Sequence, residues 1–131
     1  MKEFSTHWKG SSKAKKQRKF RFNAPKHLKK KMLSSHLSKD LRKQYGKRSF
    51  ELRKGDEVKI MRGSHRGKTG KVLELNTYNL KVYVENIQRS KKDGTKVNIP
   101  LDPSNLVLTS VNLDDKMRAE SLKKAAGSKK Q

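Results

Sequence analysis

The stretch Lys54-Gly55-Asp56-Glu57-Val58-Lys59-Ile60-Met61-Arg62-Gly63-Ser64-His65-Arg66-Gly67-Lys68-Thr69-Gly70-Lys71-Val72-Leu73-Glu74-Leu75 joins two strand-like runs through a bend rich in glycine and cations. Glu57-Val58-Lys59-Ile60 alternates polar and apolar residues, the period of a half-buried strand. Gly70 to Leu75 reads as a second strand, apolar on both faces. Glycines at 55, 63, 67 and 70 bend the backbone around them and let it approach a phosphate chain, exposing N–H donors. Arg62, Arg66, Lys68 and Lys71 crowd that bend and can supply charge-assisted contacts. The competing reading is hairpin geometry with solvated charges.

Downstream, Leu80 to Glu85 alternates with Leu80, Val82 and Val84 on one face, and Lys96-Val97-Asn98-Ile99 and Leu106 to Val111 read as further strands. Turn chemistry separates them: Asn76-Thr77-Tyr78-Asn79, then Asp93-Gly94, which favours a tight hairpin. Five short strands within about 60 residues predict a mainly β chain built on a small barrel that hides its sheet edges. A helix is expected over Asp114 to Ala126, acids first and lysines last as the helix dipole prefers, with Gly127 to Gln131 disordered.

On the N-terminal side two short helices are predicted. One begins at Pro25, with Leu28 and Met32 sharing a face. The other is capped by Ser38, carries Asp40 in its first turn and Leu37, Leu41 and Tyr45 on a stripe, and stops at Gly46. These stripes are short and lack Trp and Phe, which favours docking on the chain's own core over a membrane anchor. Three parts result: a basic arm (1–48), the barrel (49–113), and a C-terminal helix with its tail (114–131).

The 131 residues hold 35 Lys or Arg against 12 Asp or Glu, a formal net charge of +23. Residues 1–48 hold 17 basic and 2 acidic side chains, whereas 49–113 hold 12 and 7. No carboxylate occurs from Phe4 to Lys39, a run with 12 Lys or Arg. Such a segment repels itself and is expected to stay extended until an anion neutralises it. The hydrophobic share of 31% is too low to place every residue around one core.

Without Cys, disulfides, thiolate catalysis and Cys-based zinc sites are excluded. No apolar run approaches a membrane span, and the opening residues do not read as a signal peptide. A mitochondrial presequence is disfavoured because Lys dominates over Arg and clusters at 15–16 and 29–31. Gly63 to Thr69 falls one residue short of a phosphate-binding P-loop and leads into a strand instead of a helix, so nucleotide hydrolysis is rejected. His7, His27, His36 and His65 lack metal-site spacing. The neighbours Asp56-Glu57 and Asp114-Asp115 point apart, so they read as strand-end solubility and helix N-terminal charge rather than acid/base dyads. No His stands placed beside a Ser nucleophile. The chain reads as a non-enzyme with no cofactor, metal, membrane or small-molecule partner.

Residues 54–63 and 67–72 resemble a KOW motif. Arg21-Phe22-Asn23-Ala24-Pro25, Leu37 to Arg42, Tyr45 to Ser49, Val84 to Ile87, Asp93-Gly94-Thr95 and Pro103 to Val107 are similar to one family over roughly 15–118. That family is the universal KOW-containing protein of the large ribosomal subunit, twenty-fourth in bacterial and twenty-sixth in eukaryotic naming, in its archaeal/eukaryotic form. The resemblance implies an SH3-like barrel on large-subunit rRNA near the 5′ end of that RNA and the rim of the exit tunnel, with an early role in assembly. It implies a cytoplasmic ribosome, neighbouring ribosomal proteins and exit-tunnel-associated factors as partners, and the Asp93-Gly94 hairpin toward the tunnel opening. RNA contacts then fall on Lys15, Lys16, Arg18, Lys19, Arg21, Phe22 and Asn23, and on His27, Lys29, Lys30 and Lys31. Arg42, Lys43, Lys47, Arg48, Arg53 and Lys54 follow, then Arg62, Gly63, Ser64, His65, Arg66, Gly67, Lys68 and Lys71 of the bend. Trp8, Phe20 and Phe22 are candidates for base stacking, with packing as the alternative for the two Phe. Asp102 departs from the His common in relatives, and residues 1–14 lie outside the similarity. The rival functions are a free KOW-type regulator of transcription or translation that binds RNA or DNA, and a cationic membrane-active protein.

Overall fold

The computed structural model describes residues 3–127. A 3₁₀ turn (Thr6–Gly10) precedes helices α1 (Ala14–Asn23) and α2 (Lys26–Met32), strand β1 (Ser34–Leu37) and helix α3 (Lys39–Tyr45). Strands β2 (Ser49–Glu51), β3 (Glu57–Ile60), β4 (Thr69–Asn76), β5 (Lys81–Val84), β6 (Gln88–Ser90), β7 (Lys96–Asn98) and β8 (Leu106–Ser110) follow, then helix α4 (Lys116–Gly127). Six strands form one sheet in the order β2-β1-β8-β3-β4-β5, and β6 pairs with β7 as a separate hairpin. The fold is mainly β and barrel-like, as expected.

The core is one cluster that includes Leu37, Val58, Ile60, Val82, Val84, Leu106 and Leu108, all essentially inaccessible. Inward positions alternate as the sequence predicts in β3 and β5. In β4 the expectation of two apolar faces fails. A register shift against β5 falls between Val72 and Glu74, which leaves Val72 buried while Leu73 and Glu74 are exposed. Gly70 is no bend residue. It lies inside β4 opposite Val58, and a Cβ there would stand 2.9 Å from Val84 Cγ1 and 3.0 Å from the Glu85 carbonyl oxygen.

The larger differences lie in the basic arm. Ser34–Leu37 is a strand, paired antiparallel to β2 and parallel to β8. Leu37 therefore belongs to the barrel core and not to the α3 stripe, where Leu41 and Tyr45 remain half-buried. Full burial of Leu33 and Leu37 is worth about 1.5–3 kcal/mol each, enough to seat a short polar strand in a charged segment. The acid-free run is also not extended. Phe20 and Ala24 are buried, Phe4 packs on Phe20 with centroids 5.5 Å apart, and Gln17 Nε2 donates to the carbonyls of Lys9 and Ser11. Phe20 of α1 and Ala24 just after it supply the buried apolar surface, while ten of the 12 Lys and Arg in the run stay exposed, so most of its charge keeps its hydration.

Helix α3 forms as read from its caps: Ser38 Oγ accepts from Leu41 N at 3.3 Å, and Gly46, at φ +64°, donates to the Arg42 carbonyl. Pro25 stands at the N-cap of α2. Asp115 caps α4 by accepting from Met117 N and Arg118 N, and the helix runs through Gly127. Of the C-terminal tail expected to be disordered, residues 128–131 lie outside the described residues.

Candidate nucleic-acid interface

The bend between β3 and β4 is a closed hairpin. Ile60 N donates to Lys68 O at 2.9 Å and Gly67 N to Ile60 O at 2.8 Å, while Arg66 N and Lys68 N donate within the loop. Gly63 and Gly67 adopt φ of +94° and +89°, with open space where a Cβ would stand, so backbone conformation and not packing requires glycine. Because the amides of residues 66–68 already have carbonyl partners, they are not the expected phosphate donors. Recognition rests on side chains: Arg62, Ser64, Arg66 and Lys68 are exposed, as is Lys71 on β4, and His65 is half-buried.

Beside this loop, the β6–β7 hairpin contributes Arg89, Lys91 and Lys92 to a cleft that also contains Ser64. Sequence reading did not single out these cations. Their signal was the Lys91-Lys92 pair directly before the Asp93-Gly94 turn. Asp93 is held below the ordinary carboxylate range, chiefly by the Thr95 hydroxyl and then by the Thr95 N–H, which fixes that turn.

The arm offers a second basic surface. Lys15, Lys16, Arg18, Arg21, His27, Lys30, Lys31, Lys43 and Arg48 are exposed, whereas Lys19 and Asn23 are half-buried. Four expected contacts have partners inside the protein. Lys29 is buried with its Nζ 5.0 Å from the Tyr78 ring centroid. Arg42 Nε donates to Leu37 O, and Lys47 Nζ donates to Ser121 O on α4. Arg53 pairs with Asp115, which lowers that carboxyl below its usual range. Lys54 and Phe22 are exposed, Phe20 is buried away from any base, and half-buried Trp8 has Lys19 Nζ 4.7 Å from its ring.

No local pattern in the chain hints at what holds these pieces together. Asp56, read as strand-end solubility, is fully buried beneath α4 and binds Arg118. Its carboxylate also accepts from Arg53 N at 2.8 Å and Asn112 N at 3.0 Å, while Arg118 donates to the carbonyls of Glu51 and Asn112. Arg118 thus locks α4 to the β2–β3 connection, which sets the frame from which the loop projects.

Among the described residues no group of three His, Asp or Glu side chains converges as a metal site, and no helix is long and apolar enough to cross a membrane. What the geometry offers is rigid, cationic surface, suited to a polyanion.

Residues 11–125 match the family described as ribosomal proteins L26 of eukaryotes and L24 of archaea. The large ribosomal subunit protein uL24 of Methanospirillum hungatei is 44% identical over 112 residues, which cover 86% of this chain and 93% of that protein. The uL24 of Methanosphaera stadtmanae is 45% identical over 86% of this chain and 96% of its own length. That of Korarchaeum cryptofilum is 42% identical over 87% of both.

Proposed function

Because the chain belongs to this family of eukaryotic L26 and archaeal L24 ribosomal proteins, we propose that it binds large-subunit rRNA through its two basic surfaces, the arm and the β3–β4 loop. As a member of that family it is a structural, non-enzymatic component of the large subunit in the cytoplasmic ribosome. One observation carries the RNA reading. Of the 12 Lys and Arg between residues 4 and 39, ten are exposed, and no ion pair among the described residues involves any of them. A folded surface of that density calls for a partner of high linear negative charge, and RNA helices are bound largely through shape and backbone phosphates.

In this reading the barrel is the anchor near the 5′ end of the rRNA at the exit-tunnel rim. Residues 1–48 form the RNA-entering part although β1 is a strand of the sheet, residues 49–113 the anchor, and residues 114–131 the lock and tail. The β6–β7 hairpin points toward the tunnel opening, where exit-tunnel-associated factors arrive, and binding supports early assembly. The test is co-sedimentation of the full-length chain with large subunits through a high-salt wash. Retention is expected; release into the supernatant would favour a free KOW-type regulator.

A further inference from the structure

The chain has eight aromatic side chains, and only Phe22 and Tyr78 are largely exposed, each with 64% of its surface open. They touch each other edge to face, centroids 5.8 Å apart, although 56 positions separate them in sequence. Tyr78 is presented by a built turn: Asn76 Oδ1 accepts from Tyr78 N at 3.1 Å and Asn79 N at 3.0 Å, and Leu80 takes φ +56° to re-enter the sheet. The buried Lys29 sets its ammonium 5.0 Å from the Tyr78 centroid and 6.0 Å from that of Phe22. Docking of α1 onto the barrel accounts for the contact between the rings but not for their exposure.

The surrounding cleft, of about 670 Å³, is lined by Arg18, Lys19 and Arg21 of α1 and by Asn79. Its single acid, Asp102, is paired with Lys81 at 2.6 Å. Exposed π surface beside Arg18, Lys19 and Arg21, which form no ion pair among the described residues, suits a nucleotide better than an apolar peptide. A base inside a duplex offers no free face to such rings. We propose that Phe22 and Tyr78 form a stacking site for one unpaired RNA base, with Arg18 and Arg21 taking its flanking phosphates. This rests on the rRNA reading and adds a second kind of contact, since the site lies at the far end of β4 from the β3–β4 loop, roughly 25 Å away at about 3.3 Å per residue. Unpaired bases stacked on aromatic side chains are bound tightly enough to be measured one at a time.

The test uses the full-length chain and two probes: a short single-stranded oligoribonucleotide carrying a fluorescent purine analogue, and a blunt RNA duplex of matched length. The single strand is expected to bind with quenching of the analogue. Tyr78→Ala should weaken that binding about 10-fold and abolish the quenching. Its duplex affinity and circular dichroism should be unchanged, and Tyr78→Trp should restore both signals. Unchanged single-strand binding in Tyr78→Ala, or equal losses on both probes, would overturn the stacking site while leaving the rRNA reading intact. A wild type that binds the duplex without quenching the single strand would do the same. Failure of the wild type to bind either probe would overturn both.

Discussion

Arg118 and Asp56 form a buried two-pronged ion pair, Nη1 to Oδ1 at 2.7 Å and Nη2 to Oδ2 at 2.6 Å, between residues 62 positions apart. Desolvating two charges is unfavourable, and here the cost is offset by further bonds: both carboxylate oxygens accept a second hydrogen bond from backbone N–H groups, and both terminal guanidinium nitrogens donate to a carbonyl as well. The Phe50 ring lies 5.1 Å from the guanidinium carbon. The pair is therefore more a fastener with one fit than a net source of stability.

Removing one partner strands the other charge in the interior. Asp56→Ala is expected to destabilise the protein by about 3–5 kcal/mol, read as a lower urea midpoint. Asp56→Ala/Arg118→Ala should lose clearly less than the sum of the single losses. A single-variant loss near the ~0–1 kcal/mol of a surface pair would show that the contact is not formed as described.

Asp115 gives a pH dependence of known sign. Its carboxyl is held below the ordinary value near 3.8, first by Arg53 and further by the amides of Met117 and Arg118. A depressed folded-state value contributes stability in full above the ordinary carboxylate range and loses it as pH falls through the folded value. Asp115→Asn should thus melt below wild type at neutral pH, and the gap should close in acid below about pH 4. A gap constant across that window would exclude the Arg53 contact as its origin.

Local pattern and long-range pairing divide what was legible in the sequence from what was not. Strands β3, β4, β5, β7 and β8 announce themselves by alternation and flanking turns, and α3 by Ser38 and Gly46. By contrast β1 is four residues, Ser-Ser-His-Leu, whose partner β8 lies some 70 positions downstream; no local period reports such a pairing. Asp56 looks soluble because Arg118 is equally remote. Repulsion among the arm's cations favours an extended chain, but the apolar faces of Phe4, Phe20 and Ala24, which meet only in three dimensions, fold it. At the candidate interface, residue types single out many exposed cations of the arm and the β3–β4 loop but pass over Arg89, Lys91 and Lys92 on the β6–β7 hairpin. They did not distinguish Lys29, Arg42, Lys47 and Arg53, each of which has a partner inside the protein, nor did they find Tyr78.

Gly70 is a steric requirement that its sequence position disguises as flexibility. With Val84 Cγ1 at 2.9 Å and backbone oxygen at 3.0 Å from a built Cβ, Gly70→Ala must push β5 away from β4. Overpacking of this kind costs about 1–3 kcal/mol. The thermal midpoint should fall, whereas Gly10→Ala, where nothing lies within 4 Å, should leave it in place.

The β3–β4 loop makes the sharpest quantitative claim about RNA. If Arg62, Arg66 and Lys68 each neutralise a phosphate, replacing all three by Ala should reduce the slope of log affinity against log salt by about 2–3, at roughly 0.7–0.9 per contact. The side chains are exposed and the loop amides bond to one another, so the fold should be untouched and its melting temperature unchanged. The wild-type slope should be steep: with ~6–10 phosphates contacted, affinity falls ~10³–10⁵-fold between 50 and 200 mM salt. A triple variant with the wild-type slope and affinity would remove the loop from the interface and leave the arm to carry binding alone.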